Sequence, residues 1–112
     1  MIILKLVNLR KRNEISQFEV AYFLNMDQKT YHNIENSLTL HVKIEVYIKL
    51  AFLYDVSVDY LLGVTKIKGE FPNDMKDEVI EKYNIDLYLV KRLREKGTFQ
   101  EVEKDKSTAP SP

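Results

Sequence analysis

The sequence predicts an all-α fold: a bundle of five short helices followed by a C-terminal helical extension. Two observations carry this. Apolar residues recur at spacings of three and four through one stretch after another, the spacing that lines one face of a helix. The stretches are also punctuated as helices are, with Ser16, Asp27 and Ser57 in front and Asn25, Gly63 and Gly97 behind. Serine and aspartate cap exposed N–H groups, whereas glycine and asparagine tolerate the left-handed backbone that ends a helix.

The first helix covers Ile2 to Arg12, with Ile2, Ile3, Leu6, Val7 and Leu9 at helical spacing. It ends in Arg10-Lys11-Arg12, cations that complement the carbonyl end of a helix or clamp a phosphate. Ser16 with Glu19 three residues on forms a capping box, opening a second helix over Gln17–Leu24. Its apolar side is Val20, Ala21, Phe23 and Leu24. Asn25 makes a tight turn and Asp27 caps a third helix, Gln28–Asn36. Spacing residues about 100° apart puts Asp27, Thr30, Tyr31 and Ile34 on one side of that helix. Gln28, Lys29, His32, Asn33 and Asn36 fall on the other, without an aliphatic or aromatic member.

A loop, Ser37–His41, carries Leu38 and Leu40, which either fold back on the core or meet a second subunit. The fourth helix, Val42–Tyr54, is the most apolar, with Ile44, Tyr47, Ile48, Ala51 and Phe52 inward. Ser57 caps a short fifth helix over Val58–Leu62. The expected organisation is a bundle over residues 1–66, a linker at 67–72, an amphipathic extension at 73–96 and a disordered tail at 97–112. In the extension Met75, Val79, Tyr83, Leu87 and Val90 form one stripe, on a single helix or on two broken near Asn84. That stripe covers either its own bundle or a partner. No internal repeat stands out.

Composition narrows the function classes. The 112 residues suit one domain, or one domain with an appendage, and 45% hydrophobic residues allow one modest core. Without cysteine there is neither a disulfide framework nor a thiolate metal site. The opening apolar run precedes its charges and is too short to cross a membrane, so a cytoplasmic protein is expected. Two histidines and no G-x-x-x-x-G-K or H-E-x-x-H pattern point away from an enzyme, and no metal or cofactor is expected. Asp55 and Asp59 have a paired-carboxylate spacing, but Asp59 is better explained as a first-turn charge on its helix. Net charge is zero, yet unevenly spread. Residues 1–68 hold nine Lys/Arg against seven Asp/Glu, net +2; residues 69–112 hold eight against ten, net −2. The front portion thus has the sign that nucleic-acid binding needs.

Residues from about Leu6 to Gly63 resemble the Cro/C1-type helix-turn-helix domain, the lambda-repressor-like Xre family. The matching marks are Leu9-Arg10, Ser16-Gln17 with Ala21 and Leu24, Ile34-Glu35, Lys49-Leu50-Ala51, and Val56-Ser57-x-Asp59-x-Leu61-Leu62-Gly63. Each mark is loose; their order and spacing together are specific. The resemblance implies a five-helix bundle, a recognition helix at Gln28–Asn36, and a dimer on a palindromic operator. Members often carry glycine where this chain has Glu14 and Asn25, and the expectation is that Asn13 rather than Glu14 takes the special backbone conformation. The loop after the recognition helix, often basic in the family, is Ser-Leu-Thr-Leu-His here.

On this reading Gln28, Lys29, His32 and Asn33 read bases. Carboxamides match adenine N6 and N7, lysine matches guanine O6 and N7, and an imidazole can donate to a base or a phosphate. Gln17, by the resemblance, faces a phosphate; Arg10, Asn36 and Lys43 are further phosphate candidates. The expected function is a sequence-specific transcriptional regulator, a repressor acting as a homodimer on double-stranded DNA. The alternative is an antitoxin- or antirepressor-type interaction module, with a regulatory protein partner on 73–96.

Overall fold

The computed structural model describes residues 2–36 and 42–96, and every regular element among them is helical. The helices are α1 (Ile2–Arg12), α2 (Gln17–Phe23), α3 (Gln28–Glu35), α4 (Ile44–Tyr54), α5 (Val58–Leu61), α6 (Lys76–Lys82) and α7 over residues 87–96. A single 3₁₀ turn, Asn73–Met75, leads into α6. The expectations placed on Leu38, Leu40 and the tail from Gly97 lie outside the described residues.

One turn design recurs. After α1, α2, α4, α5 and α6 the chain places one residue at positive φ: Glu14, Asn25, Asp55, Gly63 and Asn84. The next residue sends its N–H back five positions, as Ile15 to Arg10, Met26 to Ala21, Val56 to Ala51, Val64 to Asp59 and Ile85 to Ile80. The positive-φ residue itself bonds three positions back. This is the Schellman arrangement, which satisfies carbonyls that a helix end would otherwise leave bare. In four of the five turns the following residue then caps the next helix: Ser16, Asp27, Ser57 and Asp86 each accept a backbone N–H. Glu14, not Asn13, adopts the left-handed conformation after α1. Asn13 instead turns its carboxamide onto the Leu9 carbonyl at 2.7 Å.

The core is continuous from end to end. Leu6, Val20, Tyr31, Leu50, Leu53, Val56 and Leu61 are its largest fully buried members. Phe71, Val79, Ile85, Val90 and Leu93 extend it through the trailing segment. Phe52 meets Phe71 edge-on, with centroids 5.4 Å apart. The second half of α4, Leu50 to Tyr54, is buried on all sides, while Ile44, expected inward, is exposed and Tyr47 and Ile48 are half-buried. The extension breaks at Asn84, so its expected stripe divides. Val79 and Val90 are buried and Tyr83 half-buried, whereas Met75 and Leu87 are exposed.

Polar contacts fix the trailing pair to the bundle. Arg94 donates from Nε to the Leu53 carbonyl at 3.0 Å and from Nη2 to that of Phe52, with its guanidinium over the Phe52 ring. A cation is thereby placed on the carbonyl end of α4, where the helix dipole favours it. Lys96 pairs with Glu19, the capping-box residue of α2. No helix among the described residues is long and apolar enough to cross a membrane.

Candidate nucleic-acid interface

The α2–α3 pair positions the candidate side chains. Capping holds both entry points: Ser16 Oγ accepts from the Glu19 N–H at 3.1 Å, Glu19 returns a bond to the Ser16 N–H at 2.9 Å, and Asp27 accepts from Thr30 at 2.7 Å. Beyond Asp27, α3 presents two unlike sides. Tyr31, Ile34 and Glu35 are buried against the bundle, while Gln28, Lys29, His32 and Asn36 are exposed and Asn33 is half-buried. Thr30, expected on the inner side, is exposed. It sits in the first turn, where its backbone N–H is given to the Asp27 cap.

Glu35 is the buried anchor of this helix, only 4% exposed. Arg10 Nε donates to its Oε2 at 2.7 Å, and Arg10 Nη2 to its Oε1 at 3.1 Å. Gln17 Nε2 adds a third bond to Oε1 at 3.0 Å. Burial alone would push the Glu35 carboxyl up, but these bonds outweigh it and hold its pKa below the usual carboxylate value. The Arg10 pKa is raised in turn, chiefly by the bond to Glu35. Burial pushes the hydroxyls of Tyr31 and Tyr54 far up. The Tyr31 hydroxyl lies close enough to Glu35 to favour the carboxylate, yet neither phenol has a hydrogen-bond partner among the described residues.

Arg10, a phosphate candidate, has its guanidinium engaged by Glu35 and, through Nη1, by the Ile15 carbonyl at 3.1 Å, which seats α3 against α1. Gln17 is likewise committed on its amide nitrogen and turns its oxygen towards His32 Nδ1 at 3.4 Å. Asn36 donates to the His32 carbonyl at 2.8 Å, closing the end of α3. Lys43 is exposed at the start of α4, without a side-chain capping bond. Lys43, Asn33, Thr30 and Lys49 share a groove of 520 Å³ between α3 and α4. Gln28, Lys29, His32 and Asn33 thus lie on one stretch of helix, with Lys43 and Lys49 beside it.

Comparison with protein-family models, curated proteins and solved structures yields no match. What this surface can do follows from its own chemistry. It offers two carboxamides, an ammonium and an imidazole on a rigid helix whose opposite side is held by apolar burial and a buried ion pair. Such groups carry paired or directional donors and acceptors suited to planar, hydrogen-bonding ligands. Sequence reasoning missed Glu35 as the anchor, because its partners Arg10 and Gln17 lie far from it in the chain.

Proposed function

We propose that the chain is a sequence-specific DNA-binding transcriptional regulator, a repressor acting as a dimer, with a lambda-repressor-like helix-turn-helix bundle as its fold. One observation carries the proposal: α3 turns Gln28, Lys29 and His32 into solvent while Tyr31, Ile34 and Glu35 hold its other side. A helix so seated fits the major groove, where carboxamide and ammonium groups distinguish base edges. The chain is neutral overall and Arg10 is neutralised by Glu35, so few cations remain for phosphates. Affinity should then depend on two subunits, with half-sites about 34 Å apart, and should fall less steeply with salt than for strongly basic repressors.

Selection of bound sequences from random DNA by the purified chain tests this. The expected product is a two-fold symmetric site. The triple variant Gln28→Ala, Lys29→Ala, Asn33→Ala should lose discrimination by about tenfold or more, each good base contact contributing roughly 1–3 kcal/mol. Its unfolding should be unchanged, since Gln28 and Lys29 are exposed and Asn33 half-buried. Wild-type affinity and specificity in the triple variant would remove the reading face from consideration.

A second reading, an interaction module with weak or lost DNA binding, draws support from apolar exposure. Phe18 and Tyr22 stand one turn apart on the outside of α2, 62% and 67% exposed, and Leu87 and Tyr88 are exposed on α7. No shift of any DNA at low salt, together with recovery of a defined protein partner, would favour it.

A further inference from the structure

The side chains behind α3 form a chain of hydrogen bonds with only one consistent polarity. Arginine has donors and no acceptor, so Arg10 requires Glu35 as a carboxylate. A carboxylate only accepts, so Gln17 must present its NH₂ group to Glu35 Oε1 at 3.0 Å. The Gln17 carbonyl oxygen is then forced to the other side, 3.4 Å from His32 Nδ1. A carbonyl also only accepts, so the favourable partner is a protonated Nδ1. Asn36 does not compete for this arrangement. Its Nδ2 is nearly equidistant from the two ring nitrogens, at 3.4 and 3.3 Å, which places it over the ring instead of in line with either lone pair.

We propose that Gln17 is a positioning residue that holds neutral His32 in its Nδ1–H tautomer, leaving Nε2 as an outward acceptor that reads a base-edge donor, adenine N6 or cytosine N4. The base-reading half of this inference rests on the DNA-binding function proposed above; the tautomer half does not. Neutral imidazole can offer either a donor or an acceptor at Nε2, and the two choices select different bases. In the major groove only adenine N6 and cytosine N4 donate; guanine and thymine present acceptors at the corresponding positions. The buried ion pair thus sets the sign of a contact on the surface, through one glutamine. A residue that acts behind a reader in this way resembles an outer partner that fixes the tautomer of a histidine ligand.

The test begins with the full chain free of DNA, in alkaline buffer that keeps imidazoles neutral. Multiple-bond ¹⁵N–¹H correlation spectra report which ring nitrogen carries the proton, with His32 signals assigned by their loss in His32→Gln. Expected is a protonated Nδ1 in wild type and a shift towards protonated Nε2, the form free imidazoles prefer, in Gln17→Leu. A protonated Nε2 in wild type, or a protonated Nδ1 that persists in Gln17→Leu, overturns the assignment. Site selection then reads the base. The base pair whose preference disappears in His32→Ala locates the contact, with a preference of roughly fivefold or more. Every base pair carries one donor base, adenine or cytosine, so base analogues decide which edge is read. In an A·T pair 7-deaza-adenine should preserve binding and purine, which lacks the amino group, should not; in a G·C pair 7-deaza-guanine should preserve binding and 2-pyrimidinone, cytosine without its amino group, should not. The reverse result with these analogues, or no position affected by His32→Ala, overturns the base-reading half. Failure to select any DNA would sink the function proposed above together with that half, while the spectrum still decides the tautomer.

Discussion

Two helix pairs in this molecule are built on one turn and put it to different ends. Between α2 and α3 the chain runs Asn25-Met26-Asp27; between α6 and α7 it runs Asn84-Ile85-Asp86. Both asparagines sit at positive φ, 60° and 54°, both following residues bond back to the preceding helix, and both aspartates cap the next one. The turn therefore sets how two helices meet. It does not set what the second helix presents. On α3 and its C-cap the outer positions are Gln28, Lys29, Thr30, His32 and Asn36; on α7 they are Leu87, Tyr88, Lys91, Arg92 and Glu95. The anchors differ as well. α3 is held by a buried carboxylate with a cation, whereas α7 lays a cation on neutral carbonyls at the end of α4.

That difference in anchoring should give the largest measurable contrast. Arg10→Met leaves Glu35 buried and uncompensated, and should destabilise the protein by about 3 kcal/mol or more in urea unfolding. Adding Glu35→Leu should recover most of the loss, because the unpaired charge is then gone. A loss below about 1 kcal/mol for Arg10→Met would show that water reaches the carboxylate. Acid separates the same variants. The Glu35 pKa in the fold lies below its ordinary value of 4.5, so its stabilisation is fully present above that pH. It is lost as pH falls through the depressed folded value, because the unfolded chain then binds the proton first. Wild-type stability should therefore drop with acid below about pH 4.5, and the double variant should lack that part of the slope.

The α7 anchor should be weaker. Arg94→Ala removes a donor from two carbonyls at a helix end, that of Leu53 and that of Phe52, which keeps its bond from Asp55, and strands no charge. The expected destabilisation is about 1–2 kcal/mol, from charge-assisted bonds and the lost packing over Phe52. DNA selected by the purified variant should be unchanged. An altered base preference would mean that the trailing pair and the α3 face are coupled, and the contrast between the two pairs would have to be redrawn.

Much of this was legible in the sequence where the causes are local. The caps at Ser16, Asp27 and Ser57 and the left-handed Asn25 depend on neighbours within five positions, and they lie where the residues placed them. The buried role of Glu35 depends on Gln17 and Arg10, 18 and 25 residues away, and no local pattern announces it. The engagement of Arg10 is hidden in the same way, because its partner is distant in sequence. In α4 the helical period disappears because Leu50 to Tyr54 are buried all round, so Leu50 and Leu53 carry no stripe to read. The polar face of α3 was visible as a set of positions in the sequence. Its internal order, with Gln17 behind His32, needed the fold.

Glu14 shows how the local rule could have been carried further, and it supplies the smallest effect. The turn has a fixed rhythm: a positive-φ residue, an apolar residue, then a cap. Counting back from Ser16 over Ile15 lands on Glu14, as counting back from Asp27 lands on Asn25 and from Asp86 on Asn84. Asparagine eases the left-handed backbone by bonding locally with its short carboxamide, whereas glutamate keeps the steric cost without that relief. Glu14→Gly should therefore stabilise the protein by about 0.5–1 kcal/mol in thermal or urea unfolding. Asn25→Gly and Asn84→Gly should each change stability by less than about 0.5 kcal/mol. Equal responses from Asn25 and Asn84 would confirm that one turn serves both pairs. Unequal ones would mean that packing around Met26 and Ile85, half-buried in the first case and buried in the second, takes over part of the work.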